Sequence, residues 1–271
     1  MYRREYVRKR KRRRIVAIVG ALSGATVLAL SIIAFLGRFV GTFTVSLESR
    51  NVDLTLSEKK DFIHETSFLR VNTLLPFQEF TYSYFDDYGG DEVIDSEESN
   101  SFIGANYLPN NPSQMSSLNF FKYTYYVKNV GKEPAMYDWS VAVKDNALSY
   151  DGRSLLDTLR VMIYIDGKKL IYGKALSVPH YDSEGKADYR PPISVDKNEA
   201  TNEFPFMGYV DDNFASSEVI TTFRGEKLDV NESRRYTIVT WLEGFRSSSE
   251  EFAPRGAKIK LGVEINAYEN E

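Results

Sequence analysis

Few side chains in this chain are of the types that do covalent or metal chemistry. There are two histidines and no cysteine among its 271 residues. His64 lies in "FIHETSF", which begins like the zinc-protease pattern His-Glu-x-x-His but has Phe68 where the second imidazole belongs. That metal site needs two imidazoles one helical turn apart, so His64 reads as a partly exposed strand residue. His180, in "VPHYDSEG", reads as a loop residue with Asp182 and Glu184 nearby. With no cysteine, disulfides, thiol nucleophiles and thiolate metal sites are all excluded.

The remaining chemistry is equally sparse. The stretch "DDYGGDEVIDSEE" (86–98) could collect calcium through carboxylate oxygens, but its spacing is not that of an Asp-x-Asp-x-Asp-Gly loop, and solvated acidic loops are the commoner case. No cofactor is otherwise implied. There is no Gly-x-Ser-x-Gly elbow for a nucleophile and no Gly-x-x-x-x-Gly-Lys loop for phosphate. Phe120, Phe121, Tyr123, Tyr125 and Tyr126 read first as core and cross-strand packing, and as a carbohydrate or peptide platform only if several are exposed together. Trp241 reads as structural.

What carries these residues starts with an address. Residues 1–14 hold nine Lys/Arg and one acid, with Arg10, Lys11, Arg12, Arg13 and Arg14 ending the run. An uncharged stretch follows, residues 15–37, including Ile15, Leu22, Leu28, Ile33 and Leu36. As a helix it would rise about 33 Å, enough to cross a hydrocarbon core of about 30 Å. The apolar continuation argues against a nucleic-acid arm. The cations hold the N-terminus in the cytoplasm and place residues 38–271 outside it, and the basic run can also touch anionic head groups. A removable signal has an apolar region of about 7–15 residues and a small-x-small site. Here the run is longer and leaves through "FLGRFVGTF", so retention as a signal-anchor is favoured.

The rest of the chain holds most of its 38 Asp/Glu against the remaining Lys/Arg. An acidic exported domain is a poor nucleic-acid binder. An exported domain without cystines points to a bacterial, Gram-positive source. Period-two alternation dominates it. Phe43, Val45 and Leu47 alternate with polar residues, as do Val52, Leu54 and Leu56. So do Phe121, Tyr123, Tyr125 and Val127, then Tyr137, Trp139, Val141 and Val143, and finally Ile259, Leu261, Val263 and Ile265. "RVMIYI" (Arg160–Ile165) and "YTIVTWL" (Tyr236–Leu242) are apolar on both faces, as central or loop-covered strands would be. Asp166-Gly167 marks a hairpin, and Ser154–Leu159 a short helix capped by Ser154. Residues 86–117 and 173–205 read as long surface insertions, the first partly disordered. The fold class is all-β: an antiparallel, jelly-roll-like β-sandwich behind one transmembrane helix.

Three stretches carry a resemblance: Val52–Leu56 ("VDLTL"), Val127–Gly131 ("VKNVG") and Leu228–Ser233 ("LDVNES"). In that order, behind a hydrophobic export segment, they resemble the exported β-sandwich family of TasA and camelysin in Firmicutes. The resemblance implies a jelly-roll-like sandwich of surface layers or matrix fibres, in which a donated strand pairs with the next subunit. The basic tail, the retained apolar segment and the two insertions depart from that family, and its reputed protease activity finds no motif here.

The function expected from sequence is therefore a membrane-anchored structural, adhesive or surface-assembly role without catalysis. Phe43, Val45, Leu47, Val52, Leu54 and Leu56 are the candidate edge or exchanged strand. On that expectation, a chain lacking Phe39–Leu56 stays folded and loses self-association. The alternative is a glycan- or peptide-binding ectodomain that uses the insertions as loops, and a cell-surface hydrolase comes third. Expected partners are membrane lipid and a second copy or a surface protein or glycan, with no nucleic acid.

Overall fold

The computed structural model describes residues 39–40, 43–49, 52–71, 79–80, 82, 85, 90–95, 120–193, 208–243, 254 and 256–269. Residues 1–37, including the uncharged stretch and its basic flank, lie outside them. No helix among the described residues is long and apolar enough to cross a membrane.

The described chain is all-β, with seventeen strands and two short helical turns. In order the strands are β1 (Phe39–Val40), β2 (Phe43–Ser49), β3 (Leu54–Ser57), β4 (Phe68–Val71), β5 (Glu79–Phe80), β6 (Phe120–Asn129), β7 (Ala135–Ala147), β8 (Leu159–Ile165) and β9 (Lys168–Gly173). They continue as β10 (His180–Tyr181), β11 (Ala187–Asp188), β12 (Pro192–Ile193), β13 (Gly208–Tyr209), β14 (Asp212–Asn213), β15 (Val219–Leu228), β16 (Ser233–Glu243) and β17 (Lys258–Glu269). One sheet runs β15-β7-β17-β2-β4, with β1 also on β17; the other runs β14-β9-β8-β16-β6-β3, with β5 on β16.

Alternation does what it should in the first sheet. In β17, Ile259, Leu261, Val263 and Ile265 are buried while Lys258, Lys260 and Glu264 are not. They meet Phe121, Tyr123, Tyr125 and Val127 of the second sheet in one cluster, with Trp139 and Tyr236 at its centre. Trp139 stacks on Tyr236 at 5.0 Å and donates its indole N–H to Tyr125 Oη at 2.6 Å. Tyr137 and Tyr236 share a hydroxyl hydrogen bond of 2.7 Å. Buried phenols and indoles need such partners, and here they satisfy one another.

The second sheet is covered on its other face too. Phe85 and Ile94, the latter in the short helix α1 (Gly90–Ile94), pack with Phe120, Met162, Tyr164, Val239 and Trp241. This is why "RVMIYI" and "YTIVTWL" are two-faced: β8 and β16 lie mid-sheet and also beneath a returning segment. β6 differs from its sequence pattern. Lys122 and Thr124, on the polar side of the alternation, are buried as well, and Thr124 pairs with Thr237 across the ladder at 2.9 Å.

The sheets are mixed, a correction to the antiparallel expectation. β17 runs antiparallel to β7 but parallel to β2, and β1–β17, β5–β16 and β9–β14 are also parallel. Short turns encode only antiparallel neighbours, whereas β2 and β17 come from opposite ends of the described chain. The Asp166-Gly167 hairpin is as expected, both residues having positive φ, 48° and 84°, as a type I′ turn requires. The expected Ser154–Leu159 helix is only a 3-10 turn, Leu155–Asp157. Ser154 caps it through Leu156 N–H, and Leu159 already enters β8.

Gly173 closes β9 where the second insertion folds back. A Cβ there would lie 2.5 Å from Pro191 Cγ and 3.2 Å from Arg160 Cδ. Gly173→Ala is expected to lower stability by about 1–3 kcal/mol, the range for overpacking a filled site. Urea unfolding measures this; an unchanged midpoint would show that the insertion is not packed as described.

Candidate functional site

The candidate edge divides in two. β2 lies between β17 and β4, so Phe43, Val45 and Leu47 are interior, with Phe43 and Val45 fully buried. This corrects the first half of the expected edge. The pairing of β2 with β17 is long-range, and nothing local in "FTVSL" signals it. β3 does end its sheet, with β6 as its one partner strand. On its outer side Leu56 exchanges both main-chain bonds with Thr66, at 2.8 and 3.0 Å. Successive residues of a strand alternate in direction, so the amide and carbonyl of Leu54 point the same way as those of Leu56.

They face an open groove of about 460 Å³ lined by Val52, Leu54, Glu65, Thr66, Ser67 and Val130. Ser67 O also accepts from Leu47 N at 3.0 Å, so Glu65–Ser67 ties the two sheets together beside the groove. This tripeptide escapes a sequence reading because it has no periodicity. The adjoining end is held by Asn129, fully buried. Its side-chain amide donates to Glu133 O (2.8 Å) and Leu228 O (3.1 Å) and accepts from Gly131 N (2.9 Å). "VKNVG" and "LDVNES" are therefore turn chemistry at one end of the sandwich.

At the other end a cleft of about 470 Å³ opens between the loops after β7 and after β9, with Arg153, Asp157, Lys174, Ser177 and Pro254 in its lining. Lys174 Nζ donates to Asp157 at 2.5 Å and Arg153 Nε to Asp151 at 2.7 Å. Ser149 Oγ donates to Asp151 and accepts from Arg153 N (2.9 Å), and among the described residues neither ion pair has a histidine beside it.

The acidic segment behaves differently from a solvated loop. Asp91 accepts from Tyr164 Oη (2.7 Å) and Lys169 Nζ (2.7 Å), and Asp95 from Arg235 (2.6 Å). The other acids of 86–98 lie outside the described residues or have undescribed side chains, and among the described residues no three acids or histidines form a metal-holding group. The second sheet also holds buried charges that an alternation pattern does not reveal. Burial pushes the Lys122 ammonium down to about 8, although Asp95 opposes the shift. Arg160 is likewise lowered to about 10 by burial, its guanidinium donating to Leu159 O and Pro192 O. Glu243 accepts from Trp241 Nε1 at 2.6 Å.

The histidines are apart from all of this. His64 is exposed in the turn between β3 and β4 rather than on a strand. His180 opens β10, stacked on Tyr209 at 3.6 Å, with Nε2 3.2 Å from Arg190 O. Asp188 stands 3.7 Å from His180 and is held down to about 2, chiefly by hydrogen bonds from Arg190. Asp182 closes the β10–β11 turn on the amides of Glu184 and Lys186. Among the described residues neither imidazole meets a nucleophile.

No family model and no curated protein matches the chain. Among solved structures it has a likeness to a family 123 glycoside hydrolase from Clostridium perfringens, at 6% identity and a TM-score of 0.21, over 80% of this chain and 28% of that one. A likeness of that size transfers neither fold nor catalytic residues.

Proposed function

We propose that this is a single-pass, membrane-tethered extracytoplasmic protein whose jelly-roll-like sandwich serves a structural, adhesive or assembly role. The apolar stretch 15–37 behind nine cations supplies the tether and its orientation. The observation that carries the role is the open side of β3. There Leu54 offers main-chain donors and acceptors beside an unfilled groove, the arrangement by which a sheet accepts a further strand. The resemblance to TasA and camelysin supports the same use, with the correction that β3 receives a strand and β2 is not given away.

Charge on an edge is the standard block to such pairing. Ser67 is exposed at the groove, so Ser67→Lys leaves the core untouched. In detergent-solubilised full chain, wild type is expected to form higher oligomers by sedimentation and Ser67→Lys to remain monomeric. Equal association of the two would refute an edge-mediated role. Protease shaving of intact cells should release fragments from residues 38–271; their full protection would refute the topology.

A further inference from the structure

Ten large apolar or aromatic side chains stand exposed among the described residues, and half of them lie on the segments that follow β7 and β9. Tyr150 is 89% exposed, Val178 75%, Tyr181 69%, Leu148 55% and Tyr189 45%. Leu148 and Tyr150 follow the end of β7, and the Tyr150 ring lies over Gly256, just before β17 begins. Val178, Tyr181 and Tyr189 follow the end of β9, and Leu176 N–H bonds to Tyr189 O at 2.8 Å. The cleft lined from both loops shows that these ends coincide.

This is also the end at which the chain enters the sheet. Phe39 pairs with Lys258, the first residue of β17. Only Arg38 separates Phe39 from Gly37, where the uncharged stretch stops. Two residue steps span at most about 7 Å, and the head-group layer on each side of a hydrocarbon core is about 5–8 Å thick. With the tether taken as proposed above, the chain gives this end of the sandwich no room to stand clear of the bilayer.

We infer that the loops bearing Leu148, Tyr150, Val178, Tyr181 and Tyr189 rest in the head-group region of the lipid bilayer. Tyrosine suits that layer because its ring is apolar and its hydroxyl is wet. Arg153 and Lys174 at the same end are paired with Asp151 and Asp157, so the contact rests on the aromatic and apolar side chains and not on net charge. The β3 groove lies at the opposite end of the sandwich from these loops.

The absence of cysteine makes the test clean. Single-cysteine variants Tyr150→Cys and Val178→Cys, with Val130→Cys and Val230→Cys as references at the far end, would carry an environment-sensitive fluorophore. The full chain is reconstituted into vesicles of equimolar phosphatidylcholine and phosphatidylglycerol containing a head-group spin label. Labels at 150 and 178 should be blue-shifted and lose more than half their emission to the quencher, and those at 130 and 230 should not. Equal quenching at all four positions, or none at any, in protein that floats with the vesicles and resists carbonate extraction would overturn the docking and leave the tether standing. Protein that does not float would overturn both.

Discussion

A chain lacking Phe39–Leu56 is expected not to fold, the opposite of what its sequence suggests. The deletion removes β2 from between β17 and β4 and β3 from beside β6. Phe43, Val45, Leu47, Leu54 and Leu56 all belong to the main cluster. Burying each such side chain is worth about 1.5–3 kcal/mol, so the five together are worth roughly 7–15 kcal/mol, comparable with the whole stability of a domain, about 5–15 kcal/mol. Four strand pairings are lost as well, β1–β17, β2–β17, β2–β4 and β3–β6, opening β17 to solvent. Circular dichroism and one-dimensional NMR of the truncated protein should show no cooperative unfolding. A folded, monomeric product would mean that β2 is dispensable and would restore the exchanged-strand reading. Val45→Asp, with its residue fully buried, should have the same effect from a single site.

Alkali is expected to unfold the protein abruptly. Tyr123, Tyr125, Tyr137, Tyr164 and Tyr236 all have phenols raised above their ordinary value, burial being the first cause in every case; Tyr137 is raised to about 12. Each holds its proton in the folded chain while the unfolded chain releases it above about pH 10. The folded state therefore binds more protons there, and stability falls with pH. At about 1.4 kcal/mol per pH unit for each phenol, five remove on the order of 7 kcal/mol per unit.

Lys122 works in the opposite sense at lower pH. Its folded value, about 8, lies below the unfolded value of about 10.4. In that window the unfolded chain binds more protons, so stability rises by up to about 3 kcal/mol. Urea midpoints followed against pH should thus climb towards about pH 10 and collapse within the next one to two units. A curve flat to about pH 12 would contradict the burial of these phenols.

The sandwich could be read from sequence where one face of a strand meets water. β7 and β17 show this: their buried and exposed residues follow the alternation through Trp139, Val141, Ile259 and Val263. Where both faces are covered, the pattern said so only if both were greasy, as in β8 and β16. β6 hides its second burial behind Lys122 and Thr124, because a lysine counts as solvent-facing in any binary pattern although it can be buried beneath another segment. The same blindness applies to residues 86–98. Their acids look solvated until Lys169 and Arg235, 78 and 140 residues away in sequence, are found beneath them. The period of Leu54 and Leu56 made β3 recognisable as a strand, although Thr55 and Ser57 between them are buried too. The groove beside it was not legible, since Glu65–Ser67 is defined by what it bridges and not by any repeat of its own.

The parallel pairing of β2 with β17 has a mechanical consequence. Tension entering at Phe39 and leaving through Glu269, the far end of β17, would have to pass from β2 to β17. The six rungs joining Thr44–Ser49 to Gly262–Ala267 lie across that pull, so they share the strain together instead of unzipping one after another. A strand loaded this way yields only when many bonds fail at once, and survival under force is set by the rate of that event. The first described stretch of sheet is thus loaded in shear and not in peeling.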